Sequence, residues 1–192
     1  MKTLLGLVLL FILATLPASA DGYYVSVYGG ANFDDVINTN GVSDNTGLAI
    51  GGTLGTHIKA VPGLRVEADV SFRQNDVDLA FGPGLTVSHE TFAIMGNAAY
   101  DIPLAVGPLH PYVLVGVGYG HSEAILEDIS LVKIQSSGVA YQLGAGLTTE
   151  LADGVSLGIG YRYLKTEPLE VLGTELSDGS NHSVVAELKF AL

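Results

Sequence analysis

VAYQLGAGLTTELADGVSLGIGYRYLK, from Val139 to Lys165, decides the fold of this chain. In its first arm Val139, Tyr141, Leu143, Ala145 and Leu147 alternate with Ala140, Gln142, Gly144, Gly146 and Thr148. In its second arm Val155, Leu157, Ile159, Tyr161 and Tyr163 alternate with Ser156, Gly158, Gly160, Arg162 and Leu164. Successive strand side chains point to opposite faces, so each arm has one apolar face and one small or polar face. Asp153-Gly154, at the end of Leu-Ala-Asp-Gly, is a hairpin reversal signal. The second face is mostly glycine with one arginine, not the Lys/Glu/Thr mixture of a solvated sheet. This points to an apolar outside and a cramped polar inside.

Outward from that hairpin, the same alternation recurs in six further segments. They are Tyr23–Asn32, Gly47–Ile58, Leu64–Arg73, His89–Tyr100, Tyr112–His121 and His182–Leu192. Leu64–Arg73 is the strictest: Leu64, Val66, Ala68, Val70 and Phe72 oppose Arg65, Glu67, Asp69, Ser71 and Arg73. Connections after alternate segments are long and acidic, and the others are short and carry Pro62-Gly63, Pro103 and Pro108. Aromatics gather at strand ends, Tyr23, Tyr100 and Phe190 at the short-turn end. Phe72, Phe92, Tyr119, Tyr141, Tyr161 and Tyr163 lie toward the other. An even number of strands of roughly ten residues, with unequal connections and aromatic girdles, is the pattern of an outer-membrane barrel. The expected fold is all-β, an eight-stranded antiparallel up-and-down transmembrane barrel.

A soluble barrel would alternate in the same way but would turn the glycine face to water. Glycine on an exposed strand face weakens the strand without a packing gain, whereas inside a narrow barrel it makes room for large side chains. Charge agrees with the membrane reading. Arg65, Arg73, Arg162 and Lys189 share the inner face with Glu67, Asp69, Glu150 and Glu187, a balanced set suited to burial as pairs. Most other acids, among them Asp34, Asp35, Asp76, Asp78, Glu123, Glu127 and Glu175, fall in the long connections. Arg162 is expected to pair with Glu187 across the last hairpin.

The N-terminus begins with Met1-Lys2, then an apolar run from Leu4 to Leu16 and a small-residue site ending at Ala20. A spanning helix needs about 20 apolar residues, so this run reads as a cleaved secretory signal peptide. The expected organisation is residues 1–20 as signal peptide and 21–192 as barrel, exported to a bacterial outer membrane. There is no cysteine, so neither disulfides nor thiolate metal sites hold the exported chain. The formal charge is −12, and −13 once Lys2 is removed, which excludes a nucleic-acid partner.

At PYVLVGVGYG (Pro111–Gly120), YQLGAGLTTEL (Tyr141–Leu151), LGIGYRYLKT (Leu157–Thr166) and NHSVVAELKF (Asn181–Phe190), the chain resembles small OmpA-like, opacity-porin-like outer-membrane barrels. The resemblance covers the whole of residues 21–192. It implies that Arg162 matches the family's inward arginine and that Leu188, Phe190 and Leu192 form the C-terminal signal read by the barrel-assembly machinery. The family usually ends on an aromatic, whereas Leu192 holds that position here. The peptidoglycan-binding domain of full-length OmpA is expected to be missing. Outer-membrane lipid and lipopolysaccharide are the implied surroundings.

Other eight-stranded outer-membrane barrels are lipid A deacylases that use Ser and His on the lipid-facing wall, which draws attention to His182-Ser183. Neighbouring strand residues face opposite ways, so the two cannot form a nucleophile–base contact. No histidine pair has metal-ligand spacing, and Asp76-Val-Asp78 lacks the glycine and terminal glutamate of a calcium loop. No catalytic, metal or cofactor site is expected. The expected role is structural or adhesive, with an extracellular ligand at the acidic loops. A narrow porin is the second reading, and a lipid A-modifying enzyme the third.

Overall fold

A computed structural model of the chain describes residues 22–36, 42–44, 46–79, 86–104, 106–126, 133–171 and 174–192. The expected signal peptide and the tips of the long connections lie outside the described residues. The strands are β1 (Tyr23–Val36), β2 (Val42–Asp44), β3 (Gly47–His57), β4 (Leu64–Leu79), β5 (Thr86–Asp101) and β6 (His110–Leu126). They continue with β7 (Lys133–Ala152), β8 (Val155–Lys165), β9 (Leu169–Val171) and β10 (Thr174–Ala191). Eight of them form the ring β1-β3-β4-β5-β6-β7-β8-β10, each pair antiparallel. β10 closes on β1 from Tyr24 opposite Ala191 to Asp34 opposite Asn181. The two short strands lie outside this ring, β2 on β4 and β9 on β10.

Burial is inverted relative to a water-soluble protein. Val115, Val117, Val139 and Ile159 on the outer wall are all more than half exposed, while Arg65, Asp69 and Arg73 inside are at most 2% exposed. Only a lipid surround makes that arrangement favourable, and only a closed ladder leaves no backbone group unpaired in lipid. Val25 departs from the outer pattern: between Phe190 and Leu54 it is buried.

Each of the three short connections contains a glycine in the left-handed region, Gly63, Gly107 and Gly154, a conformation closed to most side chains. The last turn is tighter than its sequence suggested. β7 runs on to Ala152, and the pairing slips between Glu150 and Ala152, leaving Asp153-Gly154 as a two-residue turn. At the other end the ladders run far past the expected boundaries. β4 and β5 stay paired to Asp78 opposite Thr86, and β6 and β7 to Ile125 opposite Lys133. Backbone pairing needs no apolar alternation, and beyond the lipid nothing enforces that alternation, so the sequence signal fades while the strands continue.

The inner glycines have a specific partner. Tyr28 lies over Gly51, Tyr24 over Gly55, and Tyr112 over Gly146 and Gly160, which face one another across β7 and β8. A side chain at any of these glycines would occupy the space of a tyrosine ring. Gly51→Val should expel Tyr28, break its bonds to Asp69, and destabilise the barrel by about 1–3 kcal/mol. Gly96→Ala, where a methyl would meet nothing nearer than 3.8 Å, should unfold like the unmodified chain. Urea titration followed by the shift in unboiled gel mobility would measure both.

Candidate functional site

The lumen is filled by three tiers of polar side chains. Nearest the short turns, the Arg65 guanidinium from β4 donates to Glu67 Oε1 at 2.6 Å and to Tyr24 Oη at 2.8 Å. It also donates to Asp101 at the end of β5, at 2.9 to 3.2 Å. Tyr24 in turn donates to Glu67 at 2.5 Å, and the rings of Tyr24 and Tyr112 flank the guanidinium at 5.6 and 5.5 Å. Lys189 stacks its ammonium on Tyr24, 4.7 Å from the ring centre.

The middle tier spans the diameter. β8 and β4 stand opposite each other in the ring. Arg162 Nη1 from β8 reaches Asp69 Oδ2 on β4 at 3.0 Å, with both side chains at most 3% exposed. Tyr28 and Thr53 also donate to Asp69, at 3.0 and 3.1 Å. The Arg162 guanidinium lies 3.9 Å from the Tyr28 ring centre, a contact strengthened by the burial of both groups. Asp69 therefore accepts from three residues, which is what a buried carboxylate requires.

Toward the long hairpins the hydrogen-bonded lumen groups among the described side chains are neutral, apart from Arg73. Asn32 donates to Asn75 at 2.5 Å and to Asn181 at 2.8 Å, and accepts from Ser183 at 2.6 Å. Thr91, Ser122 and Thr166 continue the hydrogen bonding at 3.2 and 3.3 Å. Arg73 donates to Ser71, Ser183 and Gln142. At the opposite end the lumen opens into a bowl of about 550 Å³ bordered by Tyr24, His57, Asp101, Glu150 and Lys189.

Of the inner-face charges read from the sequence, the structure brings Arg65 to Glu67 and Arg162 to Asp69 and Glu187, and leaves Arg73 on neutral partners. The expected Arg162–Glu187 contact exists at 3.7 Å but is the looser of the two, because Ser183 and not Glu187 lies opposite Arg162 in the ladder. Glu150 is corrected in part: it keeps the inward register opposite Ser156 and borders the bowl, but it is exposed at the mouth beside the tight turn and joins no buried pair. Asp101, Tyr24 and Tyr112 were missed. Asp101 has the inward parity of Asn97 and Ala99, but its position beside Pro103 made it read as turn. Leu188 and Phe190 face outward, half exposed, and Leu192 donates its amide to Tyr23.

His182 and Ser183 do face opposite ways. Ser183 is fully buried in the lumen, and His182 Nδ1 meets Tyr161 Oη at 2.5 Å on the outer wall. His121 bonds Ser137 at 2.6 Å, and His57 approaches the Gly22 carbonyl at 3.3 Å. Among the described residues no three His, Cys, Asp or Glu side chains are placed to hold a metal ion. Most of the acids of the long connections, such as Asp35 and Glu127, lie outside the residues whose side chains are described.

Removing one partner of a buried pair leaves the other charge uncompensated. Arg162→Ala should therefore cost about 3–5 kcal/mol of barrel stability. Glu187→Ala should cost clearly less, and Asp69→Ala added to Arg162→Ala should cost less than the sum of the two. A double-mutant cycle in detergent would test this; additive effects would mean the pair is not coupled.

Three solved structures are similar to this chain. Neisserial surface protein A is 16% identical over 89% of this chain and 97% of its own, with a TM-score of 0.67. Ail, the attachment invasion locus protein of Yersinia pestis, is 13% identical over 88% of this chain and 99% of its own, at 0.49. The outer membrane enzyme PagL is 16% identical over 88% of this chain and 99% of its own, at 0.41. At these identities the likeness to the Neisserial protein concerns the fold alone. No curated protein matches the sequence significantly. The family model of the outer membrane protein beta-barrel domain matches residues 3–190, nearly the whole chain. With a closed ring whose outer wall is apolar, the chain belongs to this family of bacterial outer-membrane barrels.

Proposed function

We propose that this protein is a closed, non-catalytic barrel whose role is structural or adhesive, exercised through its long hairpins. The observation that carries this reading is the bridge from Arg162 to Asp69 across the diameter of the lumen. An eight-stranded ring is just wide enough for side chains to fill, and here charged ones fill it as pairs. A conducting path would have to pass Arg162, Tyr28, Asp69 and Arg73, all at most 5% exposed. Against catalysis stands Ser183, the serine beside His182, which is sealed in the lumen away from any lipid substrate.

The long hairpins support an adhesive role. β4 and β5 have 16 residues each and β7 has 20, where about 9–11 suffice to cross a bilayer. The surplus forms a paired platform beyond the lipid, a rigid base from which acidic loops can meet a partner. We place that platform on the outside of the cell, with the short turns in the periplasm and the signal peptide removed after Ala20. The assembly signal is assigned to Leu188, Phe190 and Leu192 at the lipid-facing end of β10.

Planar-bilayer recording tests the plug. The unmodified protein should give no discrete conductance steps, and the double variant Asp69→Ala, Arg162→Ala should give them. Steps from the unmodified barrel would favour the pore reading. Lipid A incubated with the protein should keep its mass; loss of an acyl chain would make it an enzyme.

A further inference from the structure

Arg73 sits in an unusual setting. It is 1% exposed, and among the described residues no carboxylate lies within 4 Å of its guanidinium. Its three hydrogen bonds go to neutral oxygens: Ser71 Oγ at 2.9 Å, Ser183 Oγ at 3.3 Å and Gln142 Oε1 at 3.5 Å. Asp69, two residues beyond Ser71 on the same face, is already taken by Arg162, Tyr28 and Thr53. A buried cation is favoured by an anion in contact with it, and among the described residues the Arg73 guanidinium has none, Asp69 acting on it only from a longer range.

The surrounding orphan groups are of one kind. Gln142 Nε2, Asn181 Nδ2 and Arg162 Nε are buried N–H donors without an acceptor. These three residues are at most 2% exposed. All three connect to Arg73. Gln142 accepts from it directly, Arg162 stands opposite its partner Ser183, and Asn181 is tied to Ser183 through Asn32. Gln142 and Asn181 also flank Leu164 from either side in the ladder, on one level of the lumen. Unused donors beside a guanidinium with no anion in contact suit an anion, since a water molecule would bring its own protons to a site with few acceptors left.

We propose that the long-hairpin half of the lumen binds a small inorganic anion, chloride in size and charge, between Arg73, Gln142 and Asn181. The narrow interior favours a monoatomic ion over a carboxylate ligand of any bulk. The site is distinct from the plug reading: it holds whether or not the lumen conducts.

The test uses the full barrel folded in an uncharged detergent, with its unfolding midpoint measured in sodium chloride and in sodium gluconate at equal ionic strength. The midpoint should rise with chloride and saturate, and gluconate should leave it unchanged. Crystals grown with bromide should show an anomalous peak beside Arg73. Equal midpoints in the two salts, or bromide crystals without that peak, would overturn the site. Arg73→Gln should abolish the chloride dependence. Should that variant fail to fold, Gln142→Leu keeps the guanidinium and should raise the half-saturating chloride concentration about tenfold; an unchanged value would also overturn it.

Discussion

Everything in this molecule follows from the pairing of β10 with β1. In lipid an open sheet edge leaves a row of amides and carbonyls with nothing to bond, at several kcal/mol each. The ladder from Tyr24–Ala191 to Asp34–Asn181 removes both edges at once. Once the ring is closed, the two faces of every strand have different solvents. The outer face meets hydrocarbon, which explains why valine, leucine and isoleucine stand exposed along it. The inner face meets the other seven strands across a narrow gap.

That gap sets a volume problem, and the chain solves it by matching large residues to absent ones. Tyr24, Tyr28 and Tyr112 each lie on glycines of the adjoining strands, so that rings which would not fit side by side lie flat against backbone. The hydroxyl groups of Tyr24 and Tyr28 then reach Glu67 and Asp69, and their faces meet the guanidinium groups of Arg65 and Arg162. Packing and charge neutralisation are thus one arrangement. A glycine on β3 positions a tyrosine on β1, and the tyrosine positions a carboxylate on β4.

How much of this the sequence disclosed depended on whether a residue reported to a neighbour along the chain or across the lumen. Alternation is local, so the strands, their faces and the inward placement of Arg65, Asp69 and Arg162 were legible from order alone. Strand ends were not. Beyond Gln74 and before His89 the ladder persists on backbone bonds, which carry no side-chain signature. The partner of Arg162 was also hidden. Asp69 lies 93 residues away and becomes adjacent only through closure of the ring, whereas Glu187, in the next strand, was the nearer guess. Glu150 has the inward parity that alternation gives it, opposite Ser156, but alternation does not say how near the rim a residue stands, and in the last ladder pair before the slip it is exposed.

The tie between opposite strands has a mechanical meaning. A thin hydrogen-bonded cylinder yields most easily by ovalising, because bending its wall stretches no bond by much. Arg162 and Asp69 join β8 to β4 through the centre, like a spoke, and Arg73 runs from β4 toward β7 and β10 a short way above. Flattening the cylinder along one axis must lengthen the spoke along another, and buried charges resist separation. The cross-section stays round under lateral pressure from the surrounding membrane, and the hairpins that rise from the rim keep their spacing.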